Sequence, residues 1–80
     1  MQEGDVVRSL SGRDRNTLLA VVNTDEKFVY VCDGKARPLH NPKRKNPRHV
    51  SAVERRLSAA DLHSDKSLRK ALAIVKSEIM

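Results

Sequence analysis

Lys27-Phe28-Val29-Tyr30-Val31-Cys32, followed at once by Asp33-Gly34, narrows the folds open to this chain more than any other segment. Apolar, aromatic and β-branched side chains alternate here with the period of two that an extended strand requires. Phe28, Tyr30 and Cys32 fall on one face, expected to look into the core, and Val29 and Val31 on the other. Asp-Gly is favoured in two-residue hairpins because both central positions need residues that tolerate positive φ. A partner strand is therefore expected from Lys35 to about Leu39, stopped near Pro38 or Pro42. The architecture is antiparallel β at its centre.

The remaining segments extend this picture. Val6-Val7 is a brief apolar step, and Ser11 to Asn16 is turn chemistry in which Gly12 and Asn16 are the residues best suited to positive φ. Thr17 to Val22 has the composition of a buried strand, and Asn23 to Glu26 that of a loop. Pro42 and Pro47 bracket Lys43-Arg44-Lys45-Asn46, expected as an exposed basic loop, and Arg48 to Val53 as a closing strand. Ser51-Ala52-Val53-Glu54 also fits a helix capping box, but a small sheet needs the strand for closure. Ser64 and Asp65 are good helix openers, and Leu68, Leu72, Val75 and Ile79 recur at helical spacing, so a helix is expected over Asp65 to Glu78. Five short strands in about 55 residues suit a small barrel, whose closure hides edge hydrogen-bonding groups. Residues 1–56 form that barrel, and residues 57–80 a connector and helix packed on it.

Eighty residues suffice for one small domain, and 39% hydrophobic with 2% aromatic content implies a thin aliphatic core. The acidic, apolar-poor start at Met1 to Asp5 is not that of a signal peptide. No stretch approaches the length of a membrane span. The single cysteine, Cys32, excludes an internal disulfide and fits a reducing compartment, the cytoplasm. Lys plus Arg outnumber Asp plus Glu by 16 to 10, for a formal charge of +6. Between Asp33 and Glu54 there is no carboxylate at all, while Lys35, Arg37, Lys43, Arg44, Lys45 and Arg48 fall inside that interval. Such a concentration favours a polyanion as partner.

Arg8, Arg13 and Arg15 flank or occupy the first turn, and Lys43, Arg44, Lys45 and Arg48 the later one. Alternate loops of a small barrel emerge at one end, so the two sets are expected to converge there. Arginine grips phosphate with a bidentate fork, and lysine adds a point charge. Reading unpaired bases takes exposed rings. Phe28 and Tyr30 are the only Phe and Tyr and are expected in the core, so recognition of a folded or double-helical RNA by shape and backbone fits better. His49, beside Arg48, is a further candidate phosphate contact or a plain surface histidine. Cys32, His40, His49 and His63 match no zinc spacing, and no nucleophile–base set or phosphate-cradling loop marks an enzyme. No cofactor or metal is called for.

Gly4-Asp5-Val6-Val7-Arg8-Ser9-Leu10-Ser11-Gly12-Arg13-Asp14, followed by Leu18 to Val22, resembles the KOW motif, with Gly12 in place of its hallmark glycine. Phe28 to Gly34, Arg37, Asn41 to Lys45 and Arg48-His49-Val50 look like the small bacterial KOW-domain RNA-binding proteins. Those are similar in turn to the fourteenth large-subunit ribosomal protein of archaeal and eukaryotic type. The resemblance covers Gly4 to Val53 and, more faintly, Leu68 to Leu72. It implies an SH3-like five-stranded barrel that binds ribosomal or other structured RNA, near the ribosome and its proteins, as a monomer. The loop around Ser11 and Gly12 would approach the RNA backbone, flanked by Arg8, Arg13, Arg15, Arg37, Lys43, Arg44, Lys45, Arg48 and His49. Many KOW motifs carry a further glycine just before the second strand, where this chain has Asn16. The competing expectation is a protein-interaction module that docks through the apolar stripe of the helix.

Overall fold

The computed structural model describes residues 1–79. Five strands, β1 (Asp5–Ser9), β2 (Leu18–Thr24), β3 (Val29–Cys32), β4 (Lys43–Lys45) and β5 (Val50–Arg56), precede a single α-helix, α1 (Asp65–Ile79). All neighbouring pairs are antiparallel, in the order β4-β3-β2-β1-β5. The expected closed barrel is not formed. β4 and β5 are the two edges of one open sheet and are not neighbours in its ladder.

Paired apolar residues along each strand explain why both faces of the sheet are covered. Val6-Val7, Leu18-Leu19, Ala20-Val21 and Val31-Cys32 each send one side chain to either face. Val6, Leu18, Ala20 and Cys32 meet Leu68, Ala71, Leu72 and Val75 of α1, together with Leu57 from the connector. Val7, Leu19, Val21, Val29, Val31 and Val50 pack together on the opposite face. Leu68, fully buried, stabilises the helix contact by about 2–3 kcal/mol. The helical stripe is therefore core of this molecule, as its spacing suggested. Ser64 caps α1, its Oγ accepting from the Ser67 amide at 3.1 Å.

The hairpin expected after β3 is replaced by a longer excursion. Asp33 Oδ1 accepts from the amides of Lys35 and Arg37, while Arg37 O accepts from the amides of Asp33 and Gly34. This folds residues 33–37 into a self-contained loop, and Lys35 to Leu39 makes no strand. The partner of β3 is instead the basic segment: Val29, Tyr30 and Val31 face Lys45, Arg44 and Lys43. Gly34 has φ +78°, and a Cβ there would stand 2.5 Å from Asp65 O. Its lack of a side chain lets α1 begin directly against the loop, where Asp65 Oδ1 accepts from the Leu39 amide at 2.8 Å.

β5 departs from regular pairing. Val7 faces Ala52 and Asp5 faces Arg56, so three residues of β5 lie opposite one of β1, and Glu54 in this bulge has φ +63°. Gly34→Ala is expected to destabilise the fold by about 2 kcal/mol or more, because both the φ and the Asp65 contact forbid a Cβ. Glu54→Gly removes left-handed strain and is expected to stabilise by about 0.5–1 kcal/mol. Urea unfolding midpoints check the pair, and shifts of the same sign would contradict the assignment.

Candidate nucleic-acid interface

The turn joining β1 to β2 is wound around one acid. Ser9 N donates to Thr17 O, Asn16 N to Ser9 O and Thr17 N to Asp14 O. Gly12 (φ +82°) and Asn16 (φ +69°) take the left-handed conformations this winding demands. Asp14 thereby points inward, where its Oδ1 accepts from Ser9 Oγ at 2.8 Å and from Lys45 Nζ at 3.0 Å. Lys43 Nζ lies 3.6 Å from Oδ2. Burial pushes the Asp14 carboxyl up, but the Lys45 and Ser9 hydrogen bonds and the two lysine charges together outweigh it and hold the group below the usual carboxylate range. With Asp14 turned in, Arg13 and Arg15 on either side of it are exposed.

Two open grooves meet at this end of the sheet. One, of about 460 Å³, is lined by Arg13, Asp14, Thr17, Leu19, Asp33, Ala36, Arg37 and Lys43. The other, of about 450 Å³, runs between the turn and α1 and includes Arg15, Leu18, Lys35, Arg69, Leu72, Ala73 and Lys76. Thr17 and Asp33 belong to both and form the ridge between them. Among the described residues the ion pairs are those of Lys43 and Lys45 with Asp14. Among the described residues, no acid pairs with Arg13, Arg15, Lys35, Arg37, Arg69 or Lys76. Asp33 Oδ1 is engaged by the backbone amides of Lys35 and Arg37. The result is a predominantly positive rim around two clefts, with Asp33 between them.

Of the residues anticipated from the sequence, Arg13, Arg15, Arg37 and Lys43 come together here. Ser11 and Gly12 lie in the turn itself, and Arg48 and His49 are exposed on the 3-10 turn Pro47–His49, which adjoins it through the bond from Leu10 N to His49 O. Lys45 does not belong to the surface. Only 6% exposed, it spends its ammonium on Asp14 and Ser11 O. Arg44, one residue away in β4, points to the opposite face with its guanidinium 4.6 Å from the centre of the Phe28 ring. Arg8 lies in β1 beside Val53, Glu54 and Ile79, in a separate shallow cleft. Lys35, Arg69 and Lys76 were not anticipated as site residues. The signal for the last two was available in their seven-residue spacing, which puts both on one side of a helix.

Phe28 and Tyr30 are half-buried rather than core, because α1 covers only the Cys32 end of their face. Tyr30 Oη donates to Asp25 Oδ2 at 2.6 Å, which raises the phenol and lowers the carboxyl. Burial, with Asp65 and Asp33 nearby, pushes the Cys32 thiol up to about 11. It is a packed side chain that donates weakly to Pro38 O, not a nucleophile. Among the described residues no cluster of three or more His, Cys, Asp or Glu side chains could hold a metal ion, and no helix is long and apolar enough to cross a membrane. No protein-family model matches the chain, and no curated protein matches it.

Asp14→Ala leaves Lys45 buried without a counter-charge and is expected to cost about 2–4 kcal/mol in urea unfolding. Because the folded pKa of Asp14 is depressed, its contribution is complete above the unfolded value near 4 and is lost as pH falls below that. Asp14→Asn should therefore show a shallower loss of stability between about pH 4 and pH 2 than the wild-type chain. An acid limb of unchanged slope would contradict the pairing.

Proposed function

We propose that this chain is a non-catalytic RNA-binding module of the SH3-like KOW type that recognises structured RNA, ribosomal RNA foremost, and acts at the ribosome in the cytoplasm. One observation carries the reading. Cations from the first turn, the β3–β4 loop and α1 are gathered at one end of a compact sheet, and among the described residues most of them have no acid paired to them. Phosphates are the natural counter-charge. Arg13 and Arg37 offer forks, while Lys35 and Lys43 supply point charges. The turn geometry of Gly12 and Asn16 adds support, since it matches what the KOW resemblance asks of those positions.

The competing role as a protein-docking module draws on the apolar stripe of α1. Leu68, Ala71, Leu72 and Val75 are committed to the chain's own core, which leaves Ile74 as the exposed large apolar residue of the helix. One such residue is no docking face.

A labelled RNA stem-loop titrated between 50 and 200 mM salt tests the reading. Several phosphate contacts should weaken binding about a hundredfold or more over that range. The combined Arg13→Ala, Arg37→Ala, Lys43→Ala variant should lower the slope of log affinity against log salt by about 2–3. Binding indifferent to salt, or to these substitutions, would remove the proposal.

A further inference from the structure

Resting on that reading, we propose that the partner is a double-helical RNA whose two backbones lie one in each groove, so that α1 forms a wall of the interface as well as part of the core.

The geometry around Asp14 divides the cations into two rails. The inward carboxylate pins the middle of the turn, Arg13 goes to the groove shared with Arg37 and Lys43, and Arg15 to the groove shared with Lys35, Arg69 and Lys76. Between the rails stands the Thr17–Asp33 ridge. A phosphate on the ridge would meet the Asp33 carboxylate, whereas a phosphate on either side has three or four cations around it, and Asp14 in the first groove is already engaged by Lys43 and Lys45. Two rows of phosphate flanking a strip that repels phosphate is the charge pattern of a duplex groove approached from outside. A single strand presents one row.

Ring placement excludes the usual alternative. An unpaired strand gains its affinity from aromatic side chains under its bases. The chain holds one Phe and one Tyr and no Trp, and neither ring lines either groove. Phe28 is covered by Arg44, and Tyr30 is tied to Asp25. The floor of the helix-side groove is Leu18, Leu72 and the small, exposed Ala73, which suits a sugar edge rather than a stacked base. Arg69 and Lys76 are two helical turns apart, roughly 10 Å along the axis, more than one phosphate step, so they can reach separate phosphates of one backbone. Arg69 is already oriented, with Nη1 donating to Gly34 O at 2.6 Å.

The test compares a labelled RNA stem-loop of about 16 base pairs with one of its strands alone, across a salt series. The duplex is expected to bind about tenfold or more tighter than the strand. Ala73→Trp fills the helix-side groove without altering charge, and should weaken duplex binding about tenfold. Arg15→Ala with Lys76→Ala should lower the salt slope by about 1.4–1.8, as should Arg13→Ala with Arg37→Ala. Circular dichroism melts confirm folding, and the paired alanine variants keep the test intact if the tryptophan is not tolerated. Steep salt dependence in the wild type with a silent helix-side groove, or equal affinity for the single strand, overturns the two-rail inference alone. Absence of salt-dependent binding to either RNA removes the underlying function as well.

Discussion

The carboxylate of Asp14 stands where the backbone ladder of this sheet runs out. β4 and β5 are edges that never pair, yet β4 is held to the β1–β2 turn by the ammonium of Lys45 on Asp14 Oδ1 and Ser11 O. Ser9, itself fully buried, shares the same carboxylate oxygen. A small curled sheet with a thin aliphatic core has little apolar area to close that gap, so a charge-assisted polar cluster does it. Such a cluster is directional where a hydrophobic contact is not. It fixes the path of the turn, and with it the outward course of Arg13 and Arg15. The constraint that completes the fold therefore also distributes the cations of the candidate interface.

The second anchor is the junction of the β3–β4 loop with α1. Gly34 admits the helix, Asp65 takes up the Leu39 amide, and Arg69 returns a hydrogen bond to Gly34 O. These contacts set the helix at an angle that covers Cys32 and leaves Phe28 and Tyr30 half open. They also carry Arg69 and Lys76 to the rim reached by Arg15 and Lys35. Packing on one side of α1 and charge on its flank are consequences of the same docking.

Periodicity was readable wherever it was strong. The α1 stripe, the alternation in β3 and the apolar runs of β1 and β2 all stand where their patterns put them, within a residue or two at the ends. Two kinds of information were not in the pattern. Asp33-Gly34 carries the chemistry of a tight hairpin, but Pro38 denies the following segment a full set of ladder donors, and the Asp33 side chain captures the amides of Lys35 and Arg37 instead. Lys43-Arg44-Lys45 has the composition of a solvated loop, yet it pairs with β3 as a strand, and the inward Asp14 supplies the counter-charge for its one buried lysine. A buried ion pair is a relation between residues some thirty positions apart, and no local window contains it. The parity of Phe28 and Tyr30 was likewise legible, whereas the reach of the helix that would have covered them was not. For the candidate site, the turn arginines and the acid-free run were visible at once. That α1 would complete it required knowing which flank of the helix the core leaves exposed.

Tertiary structure shifts the balance of charge along the rim. The fold withdraws Lys45 from the surface and partly engages Lys43, so the basic run contributes less to the rim than its composition suggests. Compensation comes from residues brought in by tertiary structure, on the loop and on the helix. Holding those cations near one another costs electrostatic free energy in the unliganded chain, because among the described residues most of them have no acid paired to them. That cost is tolerable only if the supporting frame is rigid, which is what the Asp14 cluster and the Gly34 junction supply. A bound polyanion would remove the repulsion and brace both junctions at once, so occupancy and fold stability must rise together at this end of the molecule.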